Sequence, residues 1–255
     1  MTTPANTVKK GGARFYVDPV TNDEAIGVTS VLNNLPKPFL AFWRAKVVAE
    51  SAFDGFGALA DFVQRGDRDA AIDWLKRAPG RSTGNSATIG TDVHDLCERI
   101  AKGENVDPVH PDLQPYVDGF KAFIAEFKPE FLFLEQTVWS EKHGYAGSFD
   151  AIAKIDGQTV IIDWKTTKSG VHAEVALQLA AYANADYILN EDGTRTDLPK
   201  IDAAAVVHLR PDKWGLHPIR HGDPDLMETF LSLMTVGTWE KQGSKKTVGK
   251  AQQSL

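Results

Sequence analysis

The 255-residue sequence holds a single cysteine, Cys97. That excludes an intramolecular disulfide, a multi-cysteine zinc site and a cysteine-ligated iron–sulfur cluster. No run approaches the roughly 20 apolar residues of a membrane span, so none is expected. Residues 1–14 are polar and carry no apolar stretch of signal-peptide type. A reducing cytoplasmic setting is the resulting expectation. An excess of basic charge is also missing: 28 Lys and Arg stand against 34 Asp and Glu, a formal charge of −6. This argues against a protein that coats nucleic acid over its whole surface. It leaves room for an enzyme whose local groove and bound cation meet DNA inside an acidic body. With 42% hydrophobic residues and mixed charge, the chain belongs to the globular class.

What is present changes character along the chain. Residues 1–24, rich in Thr, Asn, Lys and Gly, read as a flexible arm with one strand signal at 14–17. Residues 25–130 read as a helical part, with apolar spacing for helices over 38–53, 58–64, 69–77, 91–102 and 111–127. Residues 78–90 are dense in Pro, Gly, Ser, Thr and Asn and read as a loop. Arg81 within it is a candidate phosphate contact. The 91–102 helix places Val93, Leu96, Cys97 and Ile100 on its apolar stripe, with His94 at the edge. Taken alone, a histidine in that position is more often a hydrogen-bonded structural residue than a ligand. From 131 the period shortens. Strands are expected over 131–140, which carries Glu135, and over 148–155, 159–166, 201–209 and 213–219, with helices over 172–190 and 223–242. The fold class is therefore α/β. Residues 243–255, with Lys245, Lys246 and Lys250, read as a flexible basic tail.

The densest chemistry lies in residues 147–166. Asp156-Gly157 is a two-residue turn signal between two strands. The return strand runs Val160-Ile161-Ile162 and then breaks into Asp163-Trp164-Lys165. Alternation puts Asp163 and Lys165 on one face and Trp164 on the other. Asp150, on the first strand, reaches the same place. Charges that follow a buried apolar run are costly unless something pairs them. Two carboxylates and an ammonium at one strand end make a candidate metal site. On the following helix, Gln178 and Tyr182 share a face at i, i+4 spacing.

Read in order, the pattern is His94 on a helix, Gly147-X-X-Asp150, thirteen positions to Asp163-Trp164-Lys165-Thr166, then Gln178-X-X-X-Tyr182 on a helix. This order resembles the PD-(D/E)XK nuclease superfamily. The nearest resemblance is to its RecB-like exonuclease branch, which includes CRISPR-adaptation nucleases and compact phage-encoded exonucleases. The match covers about residues 90–209. It implies a restriction-endonuclease-like core, a central mixed sheet flanked by helices, over 131–242, with the helical part contributing His94.

The resemblance also implies roles. Asp150, Asp163, His94 and the Trp164 backbone carbonyl would bind Mg²⁺ or Mn²⁺. Lys165 would position and polarise the attacking water. Gln178 and Tyr182 would contact substrate or support the site, and Glu135 sits where related proteins often carry an acid. The implied activity is metal-dependent exonuclease action on DNA in recombination, repair or replication. A structure-specific or nicking endonuclease, or a non-cleaving DNA-binding module, stays open as an alternative. Some relatives hold an iron–sulfur cluster on four cysteines; with Cys97 alone, no such cluster is expected here. DNA is the expected partner, no membrane is, and a recombination partner or homo-oligomer is left open. Lys154, Lys168, Arg210 and Lys213 are further basic candidates for a DNA groove.

Overall fold

A computed structural model describes residues 6–251. In chain order the elements are β1 (Thr7–Lys10), β2 (Ala13–Val17), β3 (Glu24–Gly27), α1 (Val28–Leu32), α2 (Phe39–Asp54), α3 (Phe56–Gln64), α4 (Arg68–Lys76), α5 (Ala78–Ala101) and α6 (Gln114–Phe127). They continue with β4 (Glu130–Ser140), β5 (Tyr145–Ile155), β6 (Gln158–Lys165), α7 (Glu174–Ala183), β7 (Tyr187–Leu189), β8 (Arg195–Asp197), β9 (Ala203–Leu209), β10 (Trp214–Ile219) and α8 (Pro224–Thr238). Single helical turns at Trp239–Gly243 and Ser244–Lys246 follow. Residues 252–255 of the expected tail lie outside the described residues. Among the described residues, no helix is long and apolar enough to cross a membrane.

The chain forms two compact units, Pro36–Thr91 and the remainder. The boundary thus falls inside the expected helical part: residues from Asp92 onward, including His94, belong with the sheet. In the Pro36–Thr91 unit, the expected loop over 78–90 is instead the first part of α5. The reason lies in its hydroxyls. Thr83, Thr88 and Thr91 each donate to the carbonyl one turn back, Pro79, Gly84 and Ala87, so residues that favour turns are satisfied within the helix. Pro79 falls in the first turn, where no backbone N–H is needed.

The larger unit is a mixed ten-stranded sheet flanked by helices. β4 and β5 pair antiparallel along nearly their whole length. The other edge of β5 is divided. Its start, Tyr145 and Ala146, pairs parallel with β3. Its end, residues 151–155, pairs antiparallel with β6. Residues 147–150 between them have no strand partner on that edge, so the sheet forks there. β6 runs on past β5 and pairs Asp163, Trp164 and Lys165 parallel with Val206, Val207 and His208 of β9. The β5–β6 turn has Asp156 at φ 48° and Gly157 at φ 79°, both left-handed, as a two-residue hairpin demands.

The expected strand at 14–17 is β2, and the other described residues of the expected 1–24 arm carry sheet too, residues 1–5 lying outside the described residues. β1 and β2 form a hairpin closed by Gly11 and Gly12, whose φ values are 54° and 76°. β2 then pairs with β3 and so joins the main sheet. The expected 172–190 helix stops at Ala183, and β7 follows. β8 occupies part of the expected 190–198 loop.

Core packing fixes the site strands from both faces. Trp164 is fully buried, edge-on to Phe120 of α6 at 5.0 Å and near Phe123 and Phe131. Burying such a side chain contributes about 1.5–3 kcal/mol. Ile152 and Ile161 lie in a second cluster with Val175, Leu179 and Tyr182 of α7 and Phe230 of α8.

Candidate metal centre

The fork gathers charged and polar side chains from five elements. β5 brings Asp150, β6 brings Asp163 and Lys165, β4 brings Glu135, α5 brings His94, and α7 brings Gln178 and Tyr182. Asp150 keeps 8% of its surface and Asp163 3%. The Trp164 N–H, which has no β5 partner beyond the fork, donates to Asp150 Oδ2 at 2.5 Å. In a strand, the N–H and C=O of one residue point to the same edge, so the Trp164 carbonyl also faces the fork. His94 Nδ1 stands 3.3 Å from Asp150 Oδ1. Lys165 Nζ pairs with Asp163 Oδ2. Gln178 Nε2 donates to Asp163 Oδ1 at 2.8 Å and to the Tyr182 hydroxyl at 3.3 Å.

Gly147 makes this closeness possible. A Cβ there would stand 2.5 Å from Tyr182 Cε1, so only glycine lets the tyrosine ring lie against β5. Glu135 is the least regular member. It has a left-handed φ of 48° inside β4, opposite Asp150 in the register set by Leu134–Ala151 and Gln136–Phe149. Like charges directly opposite each other are unfavourable, and a positive φ on a side-chain-bearing residue adds strain. One ligand atom from each of His94, Glu135 and Asp150 lies within 4.8 Å of the others.

The electrostatics follow from burial and neighbours. Burial opposes ionisation of Asp150, but His94, Lys165 and the Trp164 N–H outweigh it and hold its carboxyl below the usual range. Burial pushes the Asp163 carboxyl up against the pull of Lys165, and the charge of Asp150 adds to that. Burial works against the Lys165 cation, yet Asp163 and Asp150 raise it overall. The same contest, decided by Asp150, raises His94. Glu135 is pushed up to about 8, first by burial and then by Asp150.

The donor set fits a divalent cation. Three of the four buried side-chain polar atoms without a hydrogen-bond partner among the described residues belong here: His94 Nδ1, Glu135 Oε1 and Asp163 Oδ2. Asp163 Oδ2 has Lys165 at ion-pair distance but without hydrogen-bond alignment. His94 Nδ1 has the Asp150 carboxylate at 3.3 Å, whereas Glu135 Oε1 has neither a hydrogen bond nor an ion pair, and leaving such a buried atom unpaired costs about 1–3 kcal/mol. Carboxylate oxygens with one imidazole could hold Mg²⁺ or Mn²⁺.

Of the residues singled out in the sequence, the structure brings together His94, Glu135, Asp150, Asp163, Trp164, Lys165, Gln178 and Tyr182. Arg81 is differently engaged. It lies in the Pro36–Thr91 unit, donates to the Trp74 carbonyl at 2.9 Å and sits 5.0 Å over the Trp74 ring. Arg210 is tied to Asp212 at 3.0 Å. Cys97 is buried, and burial pushes its thiol well above the usual range, as befits a core residue. Tyr16 of β2, not singled out in the sequence, also reaches the fork, where its hydroxyl oxygen accepts the Ser148 N–H. The signal was there in Gly11-Gly12 between two short β-prone runs.

No protein-family model and no curated protein matches the chain. Among solved structures, the crystal structure of SSO0001 aligns over 86% of this chain and 76% of that one, at 16% identity and a TM-score of 0.40.

Proposed function

We propose that the chain is a divalent-metal-dependent deoxyribonuclease that hydrolyses phosphodiester bonds from DNA ends. On this reading the forked sheet is a restriction-endonuclease-like core. The observation that carries the proposal is the convergence at the fork. His94, Glu135 and Asp150 offer ligand atoms within 4.8 Å of one another, beside the Asp163–Lys165 pair.

Each group has a task. His94, Asp150 and Glu135 would hold the cation, and Asp163 and the Trp164 carbonyl would complete its ligand set. When bound, the cation supplies charge neutralisation for an anionic phosphodiester and its transition state. Lys165 keeps 29% of its side chain exposed, which lets it donate from Nζ to the attacking water or to a phosphate oxygen. Gln178 holds Asp163 in one orientation through Oδ1, leaving Oδ2 for Lys165. Tyr182 backs Gln178 through its hydroxyl. The acidic body confines DNA to the neighbourhood of the fork.

The test is a digest of end-labelled linear DNA beside a closed circle, with Mg²⁺ or Mn²⁺ and with chelator. Loss of the linear form alone, silenced by chelator, is the expected result. Nicking of the circle would replace the exonuclease reading with an endonuclease. Binding without cutting would replace both with a non-cleaving DNA-binding module.

A further inference from the structure

The N-terminal hairpin sends one side chain into the fork. Tyr16 of β2 keeps only 6% of its surface exposed. Its hydroxyl oxygen accepts the Ser148 N–H at 3.2 Å and lies 3.4 Å from Ser148 Oγ, which is in turn 3.2 Å from Thr137 Oγ1. Ser148 stands in residues 147–150, where β5 has lost β3 and not yet gained β6. A backbone N–H there has no ladder partner on that edge, and a buried one must find another acceptor.

The position of Ser148 matters for the ligands. Ser148 and Asp150 are two apart on one strand and share a face. Across the ladder Ser148 faces Thr137, and the next position on that face sets Asp150 opposite Glu135. The Tyr16 contact is therefore one step from the pair of carboxylates. It acts where the sheet splays, the place at which strand position is least determined by pairing. Ligand atoms tolerate only small displacements before affinity falls.

We infer that Tyr16 is a positioning residue of this site: its hydroxyl replaces the missing strand partner of Ser148 and holds Asp150 in register with Glu135 and His94. It touches neither cation nor substrate and acts through β5. The inference rests on the proposed metal site, and it makes the N-terminal hairpin part of the catalytic body. Phenylalanine at 16 would fill the same volume and leave the Ser148 N–H unpaired.

The test compares Mn²⁺ binding to the full wild-type chain, Tyr16→Phe and Asp150→Asn by calorimetry, with thermal melts of each without metal. Tyr16→Phe is expected to remain folded and to bind Mn²⁺ about tenfold more weakly. Its kcat for DNA cleavage should fall at unchanged KM. Equal Mn²⁺ affinity in folded Tyr16→Phe and wild type overturns the role of Tyr16 and leaves the metal site standing. Wild type that takes up no Mn²⁺, or Asp150→Asn that takes it up equally well, overturns the metal site and Tyr16 with it. If Tyr16→Phe does not fold, amide hydrogen exchange in the metal-free wild type decides. A protected Ser148 N–H supports the contact, and one exchanging like an open strand edge overturns it.

Discussion

Lys165 and Glu135 illustrate how burial sets the chemistry of single residues at the fork. Lys165 offers an ammonium that pairs with Asp163, and Asp163 and Asp150 keep it charged. Lys165→Ala is expected to lower kcat for DNA cleavage by about 10²–10³-fold, the loss typical of removing one preorganised charge from a transition state. Circular dichroism should show the fold retained; an unchanged cleavage rate would refute the role.

Glu135 yields a pH prediction. Its carboxyl is raised to about 8 in the folded chain, against 4.5 ordinarily. Between those values the folded chain holds a proton that the unfolded chain has lost. Stability of the metal-free protein therefore falls as pH rises from about 4.5 to about 8, and this contribution levels off above that. Glu135→Gln removes the contribution. The melting temperature of the metal-free variant should gain on wild type progressively across that window, while its affinity for Mn²⁺ drops. Parallel melting curves of the two proteins from pH 5 to pH 8 would show that Glu135 is not the titrating group.

At the scale of elements, β5 decides most of the site. It is a long strand whose second edge is shared by β3 and β6, and its free stretch holds Gly147, Ser148 and Asp150. Gly147→Ala is expected to destabilise the chain by about 1–3 kcal/mol, because the new Cβ meets the buried Tyr182 ring at 2.5 Å and Val28 at 3.1 Å. A urea melt measures this, and Tyr182 displacement should also slow cleavage through Gln178. Much of this element was legible in the sequence. Asp156-Gly157 marked the turn, and alternation put Asp163 and Lys165 on one face.

Other elements were less legible. The threonines and glycines at 78–90 predicted a loop, and each threonine hydroxyl instead closes on its own helix. In the N-terminal hairpin only the strand at 14–17 was legible, and polar composition hid β1, although the Gly-Gly turn between them is a recognised signal.

At the scale of the whole molecule, an acidic chain with a buried cluster of carboxylates has a clear linkage. A cation that binds only the folded state stabilises it by about 2.7 kcal/mol at 100 times its Kd. Adding Mn²⁺ to the full chain should raise the melting temperature, and chelator should return it to the starting value. In Asp150→Asn the shift should shrink or vanish. A metal-independent melt of the wild type would speak against a bound cation.

The sequence by itself determined what is set by nearest neighbours. A single cysteine closed off multi-cysteine metal sites, the hairpin and its alternation followed from residues 147–166, and the resemblance carried by the ordered pattern from His94 to Tyr182 named the candidate side chains. Tertiary structure decided what depends on strands meeting across long stretches of chain. It placed Glu135 opposite Asp150, with a backbone angle that local propensity disfavours. It turned Arg81 onto Trp74. It also brought Tyr16 to Ser148 across 132 positions. The physical reason is that helix and strand periods are local, whereas the fork in the sheet exists only once β3 and β6 divide one edge of β5 between them.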